Sequence, residues 1–275
     1  MISRGGCGRC RVWLLCLVVV GLVGCVRRYS VITSGDDSSI SGTVVRQVQV
    51  DAMDGGVPPE AANICHLEVR RGRGTPSSTG TLIGGRYLVT AAHNVARLRL
   101  TRGLVGTCGS PQSFKFTIDG GRHLREHVPG GYIYKAYDRD YTVIDIVAAG
   151  ATMEGTPPPE VVHLPRAPIA VQEGEPALLL GYPGNGYQPS PYDDMFGARG
   201  EVVRTGNPLF IRYAIDTATG NSGGPVIVNR DGLSYIVGVH ITESRCSSNS
   251  ESELCGVARF FDEGVLRHLR SVVHD

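Results

Sequence analysis

The sequence lacks an excess of charge of either sign. Its 275 residues carry 27 Lys and Arg against 26 Asp and Glu, which gives a formal net charge of +1. Arginines form only short clusters, such as the one at residues 70–73, and short clusters are typical of a solvated strand face. A nucleic-acid-binding protein presents a basic stripe or patch. We therefore expect no nucleic-acid partner.

The sequence also lacks an apolar run long enough to cross a bilayer with ease. The longest run covers residues 12–23 and follows Arg4, Arg9 and Arg11. A positive start followed by a short apolar run is typical of a secretory signal peptide. The run ends in Leu-Val-Gly before Cys25, which resembles a bacterial lipobox, where the cysteine is acylated and becomes the new N-terminus. We expect a signal peptide at 1–24 and an exported cell-envelope lipoprotein. An ordinary secretory signal peptide and an uncleaved anchor are the alternatives.

Removal of residues 1–24 takes away three arginines and no acids, so the remaining chain carries a net charge of −2. Recruitment to a membrane surface by charge is then not expected, and attachment depends on the lipid alone. Residues 25–57 are rich in Ser, Gly and Asp at first and predict a tether or a propeptide, with one strand at 44–50.

Cysteines are few outside the targeting segment. Cys7 and Cys10 form a C-x-x-C pair without the second pair that a zinc site needs, so no metal is expected. Four cysteines remain beyond Cys25, and an even number in an exported protein predicts two disulfides with three possible connectivities. The short local loop favours Cys246–Cys255, which leaves Cys65–Cys108.

From residue 58 onward the sequence consists of short apolar runs separated by Gly, Pro and Asn. Predicted strands cover 64–69, 80–83, 87–90, 141–148, 177–180, 201–204, 209–215, 226–228 and 235–240. Many short strands at regular spacing indicate a barrel or a sandwich. A proline-rich linker at 157–168 divides the region into units at 58–160 and 161–275, and a helix capped by Asp262 ends the chain.

Residues 220–225 read Gly-Asn-Ser-Gly-Gly-Pro and predict a nucleophile loop around Ser222. Serine is a weak nucleophile at neutral pH and needs a neighbouring base. The backbone N–H groups of Gly220 and Ser222 could form an oxyanion hole, which stabilises the negative charge that develops on an attacked carbonyl.

A base and an acid for this serine lie upstream in the chain. His93 follows a strand and two alanines, whose small side chains leave room for an imidazole to face a cleft. Asp138, Asp140 and Asp145 are the candidate acids. Asp140 heads a predicted strand, where a carboxylate can reach a histidine ring and fix its tautomer. Asp138 belongs to the preceding turn, and Asp145 is expected to point to solvent.

Five segments together resemble a trypsin-like serine endopeptidase of the bacterial glutamyl-endopeptidase branch. The first is residues 80–93, which read Gly-Thr-Leu-Ile-Gly-Gly-Arg-Tyr-Leu-Val-Thr-Ala-Ala-His. The others are Asp-Tyr-Thr-Val-Ile at 140–144, Gly-Tyr-Pro-Gly at 181–184, Ile-Asp-Thr-Ala-Thr-Gly-Asn-Ser-Gly-Gly-Pro-Val at 215–226 and Gly-Val-His at 238–240. The resemblance covers about residues 60–262. It implies an all-β fold of two antiparallel six-stranded β-barrels with a C-terminal α-helix. It also implies an active site between the barrels, no cofactor, and protein or peptide substrates. We expect a monomer.

The same resemblance gives two opposed indications of substrate preference. Thr217 and His240 match positions that bind an acidic substrate side chain in glutamyl endopeptidases. Their hydroxyl and imidazole groups can donate hydrogen bonds to a buried carboxylate. Asp216, however, matches the residue that binds Lys or Arg in trypsin, and Glu243 lies at the entrance of the matching pocket. Cleavage after Glu or Asp is favoured, and cleavage after Arg or Lys is the alternative.

Two other interpretations compete with a trypsin-like enzyme. The pattern Gly-x-Ser-x-Gly at 220–224 also fits the nucleophile elbow of α/β-hydrolases, but that fold needs a helix after the serine and a histidine later in the chain. A catalytically silent binding module on the same fold is the second.

The residue before Ser222 is Asn221, not the aspartate that pairs with a freed N-terminal amine in trypsin. We therefore expect the enzyme to be active without a cleavage that frees a new N-terminal amine.

Overall fold

The computed structural model describes residues 44–69, 77–96, 102–109, 114–120, 124, 127–130, 132, 136–183, 194–203, 206–246 and 254–273. The predicted signal peptide, Cys25 and the first part of the tether lie outside the described residues. No helix in the part of the chain that is described is both long and apolar enough to cross a membrane.

The described residues form fifteen strands and two α-helices. The strands are β1 Val48–Gln49, β2 Ile64–Val69, β3 Ser78–Ile83, β4 Tyr87–Thr90, β5 Leu104–Cys108, β6 Phe114–Ile118, β7 Thr142–Asp145, β8 Thr152–Gly155, β9 Val162–His163, β10 Pro176–Gly181, β11 Phe196–Val203, β12 Phe210–Tyr213, β13 Pro225–Arg230, β14 Leu233–Arg245 and β15 Leu254–Phe260. The helices are α1 Ala92–Ala96 and α2 Glu263–Val272. All nine predicted strands overlap a strand of the structure, so the all-β class is confirmed.

The second half of the chain forms the closed barrel that was predicted. Strands β11, β10, β13, β14, β15 and β12 pair in that order, and β12 pairs back with β11. The short strand β1 pairs with β11, and β9 pairs with β14 in parallel. Residues 44–50 therefore lie against this barrel, although they precede the first sheet in the chain.

The first half differs from the predicted six-stranded barrel. Its sheet has seven strands in the order β7, β4, β3, β2, β5, β6 and β8, and among the described residues the two end strands do not pair. All four residues of β8 are exposed. Strand β8 therefore extends the sheet without adding to its core. Because β7 and β8 do not pair within the described residues, this sheet is an open half-barrel.

An apolar core joins the two halves of the fold. Side chains of both sheets share one buried cluster, which includes Val89 and Val143 from the first half and Leu180 and Val239 from the second. Helix α2 adds three buried side chains to the same cluster. Asp262 caps this helix, because its Oδ1 accepts a hydrogen bond of 2.9 Å from the Val265 N–H, as predicted.

Both predicted disulfides are present. Cys65 on β2 is bonded to Cys108 on β5, directly across the sheet. Cys246 is bonded to Cys255 at the end of the β14–β15 pair where the chain connects the two strands. All four cysteines are buried.

Candidate active site

Two neighbouring strands bring a histidine and an aspartate to one end of the first sheet. Strands β4 and β7 are antiparallel, with Thr90 opposite Thr142. His93 lies three residues after the end of β4, in helix α1, and Asp140 lies two residues before the start of β7. Because antiparallel partners run in opposite directions, the residues after the end of β4 and those before the start of β7 meet at the same end of the sheet.

Asp140 holds His93 by two hydrogen bonds. Its Oδ2 lies 2.7 Å from His93 Nδ1, and its Oδ1 accepts a bond of 2.9 Å from the His93 backbone N–H. The Asp140 side chain is only 1% exposed, whereas that of His93 is 21% exposed. A buried carboxylate bound in this way places the proton on Nδ1, so that Nε2 is free to accept one.

Among the described residues, the other two candidate acids have partners other than His93. Asp145 is buried, not solvent-facing as expected, because Arg86 forms a bidentate ion pair with it at 3.0 and 2.6 Å. The hydrogen bond from Arg86, aided by the backbone N–H groups of Ala148 and Val147, lowers the pKa of Asp145 against the opposing effect of burial. Asp138 has a half-exposed side chain, beside Arg139.

The loop that carries Ser222 is pressed against the first sheet. The Ser222 carbonyl accepts hydrogen bonds of 2.9 Å from the Thr79 N–H and from Asn94 Nδ2. Thr79 Oγ1 also donates to the Gly220 carbonyl at 2.8 Å. The loop comes so close that a Cβ on Gly223 would lie 2.1 Å from the Thr79 carbonyl oxygen, and Gly223 has a φ of 87°. Only glycine fits both conditions.

Among the residues that the structure describes, two backbone N–H groups of this loop have no protein acceptor. Asn221 donates to Ala218, Gly223 to His240 and Gly224 to Asn221. Within the described residues, the N–H groups of Gly220 and Ser222 donate to no protein atom. Two N–H donors without a protein acceptor, beside a serine, are suited to binding an oxyanion.

Comparison with known proteins agrees with this geometry. The family model of the trypsin-like peptidase domain matches residues 78–239, more than half of the chain. The chain belongs to the trypsin-like peptidase family. As a member of that family it is a serine endopeptidase, whose substrates are proteins or peptides.

One solved structure shows how far the likeness of fold extends. The peptidase is similar to a structure described as a Glu endopeptidase in complex with MPD, with a TM-score of 0.52 and 19% sequence identity. The match covers 85% of this chain and 98% of the other. At this identity the likeness concerns the fold. No curated protein sequence matches the chain significantly.

The predicted pocket residue His240 is buried and uncharged. Its Nδ1 lies 2.5 Å from the Tyr213 hydroxyl. Burial, together with the nearby charge of His93, lowers the pKa of His240 to about 3, and burial raises the pKa of Tyr213 well above its usual value. The phenol therefore keeps its proton and can donate it to Nδ1, which leaves the proton of the neutral ring on Nε2.

The other three predicted pocket residues lie together. Thr217 is buried, and its Oγ1 has no acceptor or donor within hydrogen-bond geometry among the described residues. Partial burial and the negative charge of Asp216 raise the pKa of Glu243, against the smaller effect of the nearby Thr217 hydroxyl, which lowers it. The predicted pocket residues thus combine one unpaired hydroxyl with two neighbouring carboxyl groups.

Sequence reasoning missed the residues that hold the serine loop in place. Thr79, Thr90 and Asn94 form a chain of hydrogen bonds: Asn94 Nδ2 donates to Thr90 Oγ1 at 2.9 Å, and Thr90 Oγ1 donates to the Thr79 carbonyl at 2.6 Å. Thr90 lies within the matching segment at residues 80–93, and Asn94 directly follows it, which was the available signal. Among the described residues, no three His, Cys, Asp or Glu side chains are grouped so that they could hold a metal ion.

Proposed function

We propose that Ser222 is the nucleophile of this peptidase, His93 its general base and Asp140 the acid that orients His93. One observation carries the proposal. Asp140 binds His93 through both the backbone and the ring, while the next residue, Asn94, binds the carbonyl of Ser222. The base is thereby oriented and held beside the loop of the serine that it must deprotonate.

These roles lead to a two-step hydrolysis. Ser222 Oγ attacks the carbonyl carbon of the scissile peptide as His93 Nε2 takes its proton, and the N–H groups of Gly220 and Ser222 bind the resulting oxyanion. The C–N bond then breaks, and His93 returns the proton to the leaving amine. Water, deprotonated by His93, attacks the acyl-enzyme and releases the acid product, which restores the Ser222 hydroxyl.

We propose that the enzyme cleaves after Glu or Asp. The Nε2–H of a neutral His240 and the unpaired Thr217 hydroxyl are both donors for a substrate carboxylate. Charge-assisted hydrogen bonds of this kind are about twice as strong as neutral ones. The solved structure with the similar fold is a Glu endopeptidase by its description, which agrees with this choice.

Cleavage after Arg or Lys is the second candidate, because Asp216 and Glu243 lie close enough for the charge of one to raise the pKa of the other. A substrate cation would relieve this repulsion, whereas a substrate carboxylate would increase it. The two candidates therefore predict opposite effects of removing the charge of Glu243.

Peptides that differ only in the residue before the scissile bond decide between the candidates. The full chain should cleave Glu and Asp peptides faster than Arg or Phe peptides. Glu243→Gln should raise kcat/KM for the Glu peptide roughly fivefold, the effect of about 1 kcal/mol of charge repulsion, and leave the Phe peptide unchanged as the matched control. Preference for Arg, with a loss in Glu243→Gln, would replace the first candidate by the second.

We further propose that the enzyme is exported and attached to the cell envelope by a lipid on Cys25. The charged start, the apolar run and the small residues before Cys25 support this location, and so do two disulfides, which persist in oxidising compartments. Cys25→Ser should move the protein from the membrane fraction to the soluble fraction. Unchanged partitioning would remove the lipoprotein proposal.

A further inference from the structure

Residues 44–50 form a strap on the closed barrel, next to the serine loop. The Val45 N–H donates to the Ala214 carbonyl at 3.0 Å, and the Val45 carbonyl accepts from the Asp216 N–H at 2.9 Å. Further along, Val48 and Gln49 pair with β11, and the Val50 N–H donates to the Met195 carbonyl at 3.1 Å. Backbone hydrogen bonds therefore fix the strap on both sides of Gln47.

Gln47 differs from the residues around it. Its immediate neighbours in the strap are exposed, but Gln47 is only 2% exposed. Its Oε1 accepts a hydrogen bond of 3.2 Å from Asn221 Nδ2, and Asn221 is fully buried. The two amides meet across 174 positions of the sequence. A strap that served only to cover apolar surface would bury an apolar side chain here, because burying an amide carries a desolvation cost.

Other contacts also confine the side chain and the backbone of Asn221. A Cβ on Gly181 would lie 2.6 Å from Asn221 Oδ1, so the absence of a side chain at Gly181 makes room for this amide. Asn221 is also tied through its backbone, since its N–H donates to Ala218 and its carbonyl accepts from Gly224. The peptide bond after Asn221 supplies the N–H of Ser222. A change in the backbone torsion ψ of Asn221 would therefore redirect that N–H.

We infer that Gln47 is a positioning residue for the oxyanion hole. It binds the Asn221 side chain and so fixes the peptide that presents the Ser222 N–H. This inference rests on the proposed roles of Gly220 and Ser222. The chain continues on both sides of Gln47, so this support comes from within the intact polypeptide and requires no new N-terminal amine. The contact between Gln47 and Asn221 gives a physical basis for the expectation that activity does not depend on a cleavage that frees a new N-terminus.

Gln47→Met in the full chain tests the inference, with Gln49→Met as the matched control. Methionine keeps the length of the side chain and removes its amide. Gln49 belongs to the same strap but is exposed, where its Nε2 donates to Asp194. Because a small misplacement of catalytic groups can cost about 100-fold in rate, Gln47→Met should lower kcat by about 10- to 100-fold and change KM by less than about threefold. Gln49→Met should stay within about twofold of the wild type. Equal effects of the two variants, or an unchanged kcat in Gln47→Met, would overturn the inference.

Hydrogen exchange provides a measurement that does not require activity. Gln47→Met should speed amide exchange in a peptide that covers residues 220–224, and Gln49→Met should not. Faster exchange in a protein whose wild type neither cleaves peptides nor reacts with an organophosphate would contradict the proposed function, and would support only the part of the inference that Gln47 holds the serine loop in place. Unchanged exchange would contradict the positioning role alone.

A charge-exchanged pair tests whether the two amides act through each other. Gln47→Lys and Asn221→Asp each bury an unpaired charge, which disfavours the native arrangement of the loop, and each should lower kcat/KM by at least 100-fold. The double variant restores a pair and should be at least tenfold more active than the product of the two single effects predicts. Losses that simply multiply would show that Gln47 does not act through Asn221.

Discussion

Thr79 connects the first sheet to the serine loop, and Thr79→Val should weaken both stability and catalysis. Thr79 Oγ1 donates to the Gly220 carbonyl at 2.8 Å and accepts from the Tyr182 N–H at 3.0 Å. Valine has nearly the same shape but can make neither bond. The substitution therefore removes one hydrogen bond from a buried carbonyl and one from a buried N–H.

The size of the effect follows from these two groups. Each buried polar group that loses such a bond costs about 1–3 kcal/mol, so Thr79→Val should lower the free energy of unfolding by about 2–6 kcal/mol. The Gly220 carbonyl is also one of the anchors of the serine loop. A loop that shifts by a fraction of an ångström should lower kcat/KM by about 10- to 100-fold.

Thr81→Val is the matched control, because Thr81 lies two residues further along β3 and is equally buried. Its Oγ1 has no hydrogen-bond partner among the described residues, so valine should be neutral or stabilising there. The protein's one tryptophan, Trp13, lies in the predicted signal peptide, so unfolding in urea is best followed by circular dichroism. Equal stability and activity in the two variants would refute this account of the loop.

Three further predictions concern the acid, an ion pair and a disulfide. Asp140→Asn should lower kcat by about 10⁴-fold with little change in KM, because the His93 tautomer is no longer fixed; steady-state kinetics measure both, and a loss under tenfold would remove Asp140 from its role. The lowered pKa of Asp145 stabilises the fold above its usual pKa of 3.8 and less as pH falls through the lower folded value. Asp145→Asn should therefore lower Tm at pH 7 and progressively less below pH 4, and a deficit independent of pH would contradict this. Replacing Cys65 and Cys108 by alanine should cost about 4 kcal/mol in urea unfolding, the loop entropy for a sequence separation of 43 residues, and a cost under about 1 kcal/mol would contradict that estimate.

The sequence allowed the strands to be predicted from local patterns, whereas the pairing of His93 with Asp140 was predicted with the help of the resemblance to trypsin-like peptidases. Short β-like runs appear directly in the order of apolar residues. The loop of Ser222 carries glycines whose spacing reflects a close approach of backbones. These signals lie within segments of about a dozen residues, so no knowledge of the packing was needed.

What could not be predicted depends on contacts between distant segments. Asp145 was expected to face solvent, but the β4–β7 register brings Arg86, 59 positions earlier, beside it. The contact between Gln47 and Asn221 joins a segment expected to be a tether to the serine loop. The open first sheet depends on whether its two end strands pair, and strand pairing between distant edges leaves no local signal.

Labelling of the full chain by an organophosphate, together with cleavage of the Glu peptide, tests the central claim most directly. The wild type should be labelled at Ser222 alone and lose its peptidase activity in proportion to labelling, and Ser222→Ala should show neither label nor cleavage. A wild type that neither reacts nor cleaves any peptide of the set would contradict the account and favour a catalytically silent binding module. A label that persists in Ser222→Ala would place the nucleophile elsewhere.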